Sequence, residues 1–386
     1  MSEGRIPLSV PCLEGNASRY LQECLETNFV SSVGPFVRRF ETGFAGYTGA
    51  PHAVACCNGT AALHVALRVA GVGPGDDVLV SDFTFVATVN PIVYQGARPV
   101  LVDADRATWN MAPDLVEGEL GRRARLGQKM PRAALVAHIL GLPADLAPIH
   151  ETCERHGVSL IEDAAEALGA GYKGGTLAGR QVGTVGLLGC FSFNGNKLIT
   201  TGGGGMIATS DAALARRAKH LTTQARLPGP EYLHDEIGYN YRLTNLSAAL
   251  GVAQLEKLEA FVVRKRAIAR RYDEALRDLP GITLPPRPPW ASPSMWLYSI
   301  LVDPVVAGID RKALRERLGE ADIETRPVWA PAHIMPFYRD APRLGGSVAE
   351  DLFEHGLSIP CSVGLTDDQQ ARVIRTLVGL IGARSR

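Results

Sequence analysis

The chain has 386 residues and a mass of 41.3 kDa, with 46% hydrophobic and 21% charged residues. That is enough to bury a sizeable core in about two domains, and it excludes a single small module, a disordered tail and a coiled coil. Forty basic residues balance forty acidic ones, so no global field favours nucleic acid or an anionic membrane, and any anionic ligand must be held by local groups. Seven cysteines without a CxxC pair fit reduced thiols in a cytoplasm and no metal site. Neither an export signal nor a run of about 18 apolar residues is found, so secretion and membrane insertion are not expected.

Short β-branched or apolar runs at 52–57, 77–80, 98–102, 133–137 and 158–161 predict strands, with helical stretches between most of them. Such alternation predicts an α/β fold with a mostly parallel sheet. The segment 60–70 is apolar on nearly every face, as a helix packed on that sheet would be. Runs at 187–193 and 206–209 read as strands joined by a glycine-rich turn, which brings the sheet to about seven strands, some antiparallel. A long amphipathic helix is expected from about 245 to 279. Six prolines in 280–293 then mark a domain boundary. A strand near 295–302, a helix near 311–318 and a closing helix from about 367 suit a smaller α+β domain. The division expected is a large domain over 1–250 and a small one over 251–386.

Several nucleotide and metal motifs fail on spacing. Gly71-Val-Gly73-Pro-Gly75 follows a helix and lacks the third interval of GxGxxG, and Gly195-Asn-Lys197 breaks the GK pair of a phosphate-binding loop. His150 and His156 are six residues apart, where two zinc ligands on one helix face need four.

A better constellation lies at the strand ends. Glu162 and Asp163 close a buried strand at the edge where open α/β sheets bind ligands. Ser192 and Lys197 follow another strand, with an Asn-Gly turn and close-approach glycines, so that Lys197 is a credible amine nucleophile. Gly59 and Thr60 open the buried helix and offer free N–H groups to an anion, although a structural N-cap would look the same. Together these groups answer the needs of pyridoxal 5'-phosphate: phosphate anchorage, a carboxylate for the pyridinium nitrogen and a Schiff-base amine. Phe85 could stack on the ring or belong to the core.

The segments NGTAALH, DFTFVAT, HxxGxPAD (His138, Gly141, Pro143, Ala144, Asp145), EDAAEALG, FSFNGNK, TTGGGG and GYNYRLTN resemble the DegT/StrS-type sugar-nucleotide aminotransferases, which are fold-type-I pyridoxal-phosphate enzymes working as homodimers. The resemblance implies that Lys197 is the Schiff-base lysine and Asp163 the pyridinium partner, with Glu166 near the phenolic oxygen. It implies that Gly59, Thr60 and Ser192 hold the phosphate, that Phe85 stacks on the ring, and that Asn240 reaches the phosphate from the neighbouring subunit. Arg242, Arg326 and His333 would meet the substrate. Because Lys197 is retained where dehydrating relatives carry histidine, transamination is implied. L-Glutamate would be the donor, and a nucleotide-linked 4-keto-6-deoxy hexose the acceptor. Segments 29–34 and 323–329, with His333, are most similar to the C4-aminating members. Segments 193–205 and 234–245 most resemble the bacillosamine- and legionaminic-type enzymes, whose acceptor is an N-acetylated hexose, and these come first. GDP-perosamine synthases, C3-aminotransferases and a non-catalytic binding protein on the same scaffold are the alternatives.

Overall fold

The computed structural model describes residues 4–382. Helices α1 (Ala17–Glu26) and α2 (Pro35–Thr48) precede strand β1 (His52–Cys56), and helix α3 (Gly59–Val69) follows it. Strand and helix then alternate through β2 (Asp77–Ser81), α4 (Val86–Tyr94), β3 (Arg98–Val102), α5 (Pro113–Arg125), β4 (Ala133–Ala137), α6 (Leu146–His156) and β5 (Ser159–Asp163). After the short β6 (Gly171–Tyr172) come β7 (Leu188–Ser192), β8 (Gly205–Thr209) and α7 (Ala212–Thr222).

The expected helix near 245–279 is two helices, α8 (Asn245–Leu255) and α9 (Leu258–Leu276), broken at Glu256 and Lys257. No proline or glycine causes the break. The two helices serve different cores: α8 packs on α1 and α2, whereas α9 runs on so that Ile268, Tyr272 and Leu276 enter the C-terminal cluster. One straight rod would not do both. The proline-rich stretch is also more than a linker. It carries β9 (Ile282–Thr283), paired with β11 (Tyr298–Val302), and β10 (Ala291–Ser292), paired with β6.

The remainder comprises α10 (Pro304–Ala307), α11 (Arg311–Glu320), β12 (Arg326–Pro327), β13 (Arg343–Leu344), α12 (Val348–His355), β14 (Gly356–Ile359) and α13 (Asp367–Gly382). Strands β12, β14, β11 and β9 form a small antiparallel sheet. The main sheet has eight strands in the order β1-β8-β7-β5-β4-β2-β3-β13, one more than expected, because β13 docks parallel to β3 from the C-terminal part of the chain. Only β8 runs against the others.

Side chains alternate between the two faces of the sheet. Leu79, Ala134 and Leu160 join one buried cluster, while Val78, Val80, Leu135 and Ile161 join the cluster on the opposite face, which includes α3. This alternation decides the fate of the two carboxylates ending β5. Glu162 follows Leu160, away from α3, and Asp163 follows Ile161, towards it. By the same count Ser192 shares the α3 face with Cys190. Among the described residues, no helix is long and apolar enough to cross a membrane.

Candidate active site

The parallel strands deliver their ends to one edge of the sheet, where a cavity is lined by Gly59, Thr60, Phe85, Asp163, Glu166, Ser192 and Lys197, together with Thr84, Thr88, Trp296 and Trp329. Asn58 caps α3 by accepting from the Ala61 N–H at 2.7 Å, so the capping reading of this segment is correct. It also leaves the N–H groups of Gly59 and Thr60, which no helix can satisfy internally, at the cavity wall.

Asp163 is 7% exposed. One carboxylate oxygen accepts from the Ala165 N–H at 3.0 Å and the other from the Thr88 hydroxyl at 2.7 Å. Burial pushes its carboxyl above the usual range, and the Thr88 hydrogen bond, the Ala165 N–H and the charge of Lys197 oppose that push. Glu166 accepts from the Leu140 N–H at 2.8 Å and from the Trp329 indole at 3.1 Å. Burial raises it as well, against the pull of Lys197.

Lys197 sits in the turn after β7. Its amine lies 3.7 Å from Glu166 and 3.8 Å from the centre of the Trp296 ring. Burial lowers its pKa, opposed by the charges of Glu166 and Asp163, and so favours the neutral, nucleophilic amine. The neighbouring Asn196 carbonyl accepts from the Trp296 indole at 2.7 Å and from the Ser9 hydroxyl at 3.2 Å. The turn is therefore pinned by two distant segments.

Four expected site residues lie elsewhere. Asn240 accepts from Arg242 at 3.2 Å, and Arg242 borders a separate surface concavity with Arg226 and His234. Arg326, in β12, points to Glu324 at 2.9 Å. His333 lies outside the cavity lining. Its ring is buried, 2.5 Å from Asp82 through Nδ1 and 2.8 Å from Glu350 through Nε2, so both nitrogens are engaged away from the cavity. It ties the C-terminal part of the chain to the end of β2.

Sequence reasoning gave no role to Trp296, Trp329 or Thr88. Trp296 lies in a stretch that reads as strand, and only its place beside the lysine turn marks it. Trp329 is one ring of an aromatic wall, 4.9 Å from Phe85 and 6.3 Å from Trp296.

The donor set fits pyridoxal phosphate: an amine for its aldehyde, a buried carboxylate with no cation among the described residues within ion-pair distance for its ring nitrogen, and a helix N-terminus beside a serine hydroxyl for its phosphate. The approach is close, since a Cβ on Gly59 would come within 2.8 Å of the Ser192 Cβ.

The profile of the DegT/DnrJ/EryC1/StrS aminotransferase family matches residues 11–378. EpsN of Bacillus subtilis (strain 168), whose name assigns it to the pyridoxal phosphate-dependent aminotransferases, is 42% identical over 380 residues, covering 97% of this chain and 96% of that protein. A GDP-perosamine synthase of Caulobacter vibrioides is 38% identical over 374 residues, covering 97% of each. The crystal structure of an aminotransferase of the same family from Brucella abortus superposes with a TM-score of 0.88 at 30% identity, covering 95% of each chain. The chain therefore belongs to the DegT/DnrJ/EryC1/StrS family and is a pyridoxal phosphate-dependent sugar aminotransferase.

Proposed function

We propose that the chain moves the amine of L-glutamate to C4 of a nucleotide-linked 4-keto-6-deoxy hexose, yielding a 4-amino-4,6-dideoxy sugar nucleotide for a cell-surface glycan. The observation that carries the chemistry is the meeting of Lys197, Asp163 and the α3 N-terminus in one cavity. The C4 position draws support from the likeness to GDP-perosamine synthase, since perosamine bears its amine at C4. An N-acetylated hexose is the first reading, from the resemblance of segments 193–205 and 234–245. GDP-perosamine synthesis is the second, from that same relative.

When bound, pyridoxal phosphate supplies an electron sink for the carbanion left when an amino acid loses its α-proton. Asp163 holds a proton on the ring nitrogen by opposite charge. Lys197 would hold the aldehyde carbon through its amine and, once released, would be the group placed to move a proton at the substrate carbon. Gly59, Thr60 and Ser192 would bind the phosphate, Phe85 would cover the ring face, and Glu166 would serve the phenolic oxygen. Gly59→Ala, by closing the approach to Ser192, is expected to weaken cofactor binding by about tenfold or more, measured by fluorescence titration of the apoprotein.

Among the described residues Lys197 is the only lysine or arginine lining the cavity, too little for a phosphate, a carboxylate and a diphosphate together. We therefore assign Asn240 and Arg242 to the neighbouring subunit's site in a cytoplasmic homodimer. Arg326 lies outside the cavity lining, and its contact with substrate remains part of this reading only through the nucleotide. The reading is tested by incubating the protein with glutamate and UDP-, GDP- or dTDP-linked 4-keto-6-deoxy sugars, beside their 3-keto counterparts, then weighing the products. One 4-keto sugar should gain an amine while 2-oxoglutarate accumulates. Turnover confined to 3-keto sugars would overturn the C4 assignment. Failure of glutamate to convert the cofactor would overturn the donor.

A further inference from the structure

The two oxygens of Asp163 are met by a backbone N–H and by one hydroxyl, that of Thr88. Thr88 has a second polar neighbour, the hydroxyl of Thr84, at 2.7 Å. Both threonines are buried, 1% and 3% exposed, and both line the cavity. A hydroxyl has a single proton, and an ionised carboxylate accepts only. If Thr88 donates to Asp163, Thr84 must donate to Thr88, so the direction of the chain is fixed along its length. Hydrogen bonds in series polarise one another, more so where water is excluded.

We propose that Thr84 and Thr88 form a hydroxyl relay that keeps Asp163 the ionised partner of the cofactor's ring nitrogen. The inference rests on the role given to Asp163 above. Thr88 is a positioning residue, and Thr84 orients it. The charged and titratable groups around Asp163 are Lys197, His138, Glu166 and Cys190. Among the influences that favour its ionised form, the Thr88 hydrogen bond is the largest, ahead of Ala165, Lys197 and His138.

The relay also joins two parts of the site. Thr84 and Thr88 flank Phe85, and the Thr88 N–H donates to the Phe85 carbonyl at 2.9 Å. The turn that presents an aromatic face to the cavity is thus fastened to the carboxylate at the end of β5. The same two hydroxyls would govern how a flat ring is held by its face and by its edge.

The test compares Thr88→Val, Thr88→Ser, Thr84→Val, the double valine variant and Asp163→Asn as full-length proteins. It reads the dissociation constant for pyridoxal phosphate, the pH titration of the bound cofactor's absorbance, and kcat and KM for glutamate. Thr88→Val should loosen the cofactor and lower kcat, each by about tenfold or more, with KM changed less than about twofold. Its absorbance titration should shift, and Thr88→Ser should restore all three readouts. Thr84→Val should have a smaller effect that disappears when Thr88 is already valine, because the members of a relay are not independent. Near-wild-type binding and titration in Thr88→Val, beside a crippled Asp163→Asn, would overturn the relay alone. A near-wild-type Asp163→Asn would overturn the role of Asp163 and the relay with it. If Thr88→Val does not fold, Thr84→Val decides: wild-type binding, titration and kcat in that variant would also overturn the relay.

Discussion

Lys197→Ala should abolish amine transfer, with kcat falling by at least about a thousandfold, while the protein stays folded. Two functions are lost in one truncation. Among the described residues no other primary amine lines the cavity, so nothing there replaces the covalent anchor, and the group placed to carry a proton between the two carbons is lost with it. Folding should survive because the lysine turn is held by other groups: the Asn196 carbonyl keeps its bonds to Trp296 and Ser9, and the Lys197 N–H bond to Asn194 at 3.0 Å belongs to the backbone. The loss of the amine also removes the charge that, when protonated, opposes the burial of Glu166 and Asp163, so each then holds its proton more readily. Borohydride reduction followed by peptide mass mapping provides the check. In the wild type the mass of the cofactor should be fixed on the peptide containing Lys197, and in Lys197→Ala nowhere. A reduced adduct on another lysine, or turnover within tenfold of wild type, would overturn the assignment.

That lysine was legible because its setting is local. The apolar run from 187, the Asn-Gly turn and the glycines 202–205 all lie within nineteen residues, and each constrains the backbone by its own chemistry. The buried strands were legible for a similar reason, since four or five apolar residues bounded by turn formers can be little else. The two-residue β13 carries no such signal. Arg343 and Leu344 are extended only because β3 offers an open edge, a tertiary cause absent from the local sequence. The break between α8 and α9 is also tertiary in origin. The side chain of Glu256 is drawn to Tyr20, Asn16 and Arg39, none of which is near it in sequence.

His333 illustrates the limit more sharply. Histidine after a Trp-Ala-Pro stretch is compatible with contact to substrate, and only the fold brings Asp82 and Glu350 to its two nitrogens. Trp296 and Thr88 are the converse case, residues that read as strand and helix filler yet face the reacting groups. Their importance depends on the partners they meet, Lys197 and Asp163, across 99 and 75 positions of chain.

Glu162→Ala should be the most destabilising single change near the site while touching no ligand. Glu162 is fully buried, and its carboxylate accepts from the Gly183, Val185 and Gly186 N–H groups at 2.7 Å each and from His138 at 3.1 Å. His138 Nδ1 accepts from the Ala144 N–H at 3.0 Å, which leaves Nε2 to donate to Glu162. Truncation orphans four buried donors at once and loosens loop 183–186 from β5. At about 1–3 kcal/mol for each orphaned group, with heavy overlap between them, the expected cost is about 4 kcal/mol, or a melting point lower by roughly 5–10 °C. The pH dependence follows from the direction of the shift. Burial alone would raise the Glu162 carboxyl, but His138 and the backbone donors outweigh it, so its folded pKa lies below the ordinary value of 4.5. Its stabilisation is complete above that value and disappears as the pH falls through the lower folded value. Thermal melts of apoprotein and variant should therefore stand far apart at pH 7 and draw together below about pH 4.5. Melting points within a degree of each other at pH 7 would show that the four donors find other partners. A gap that widens in acid would mean that the carboxyl is protonated in the native protein.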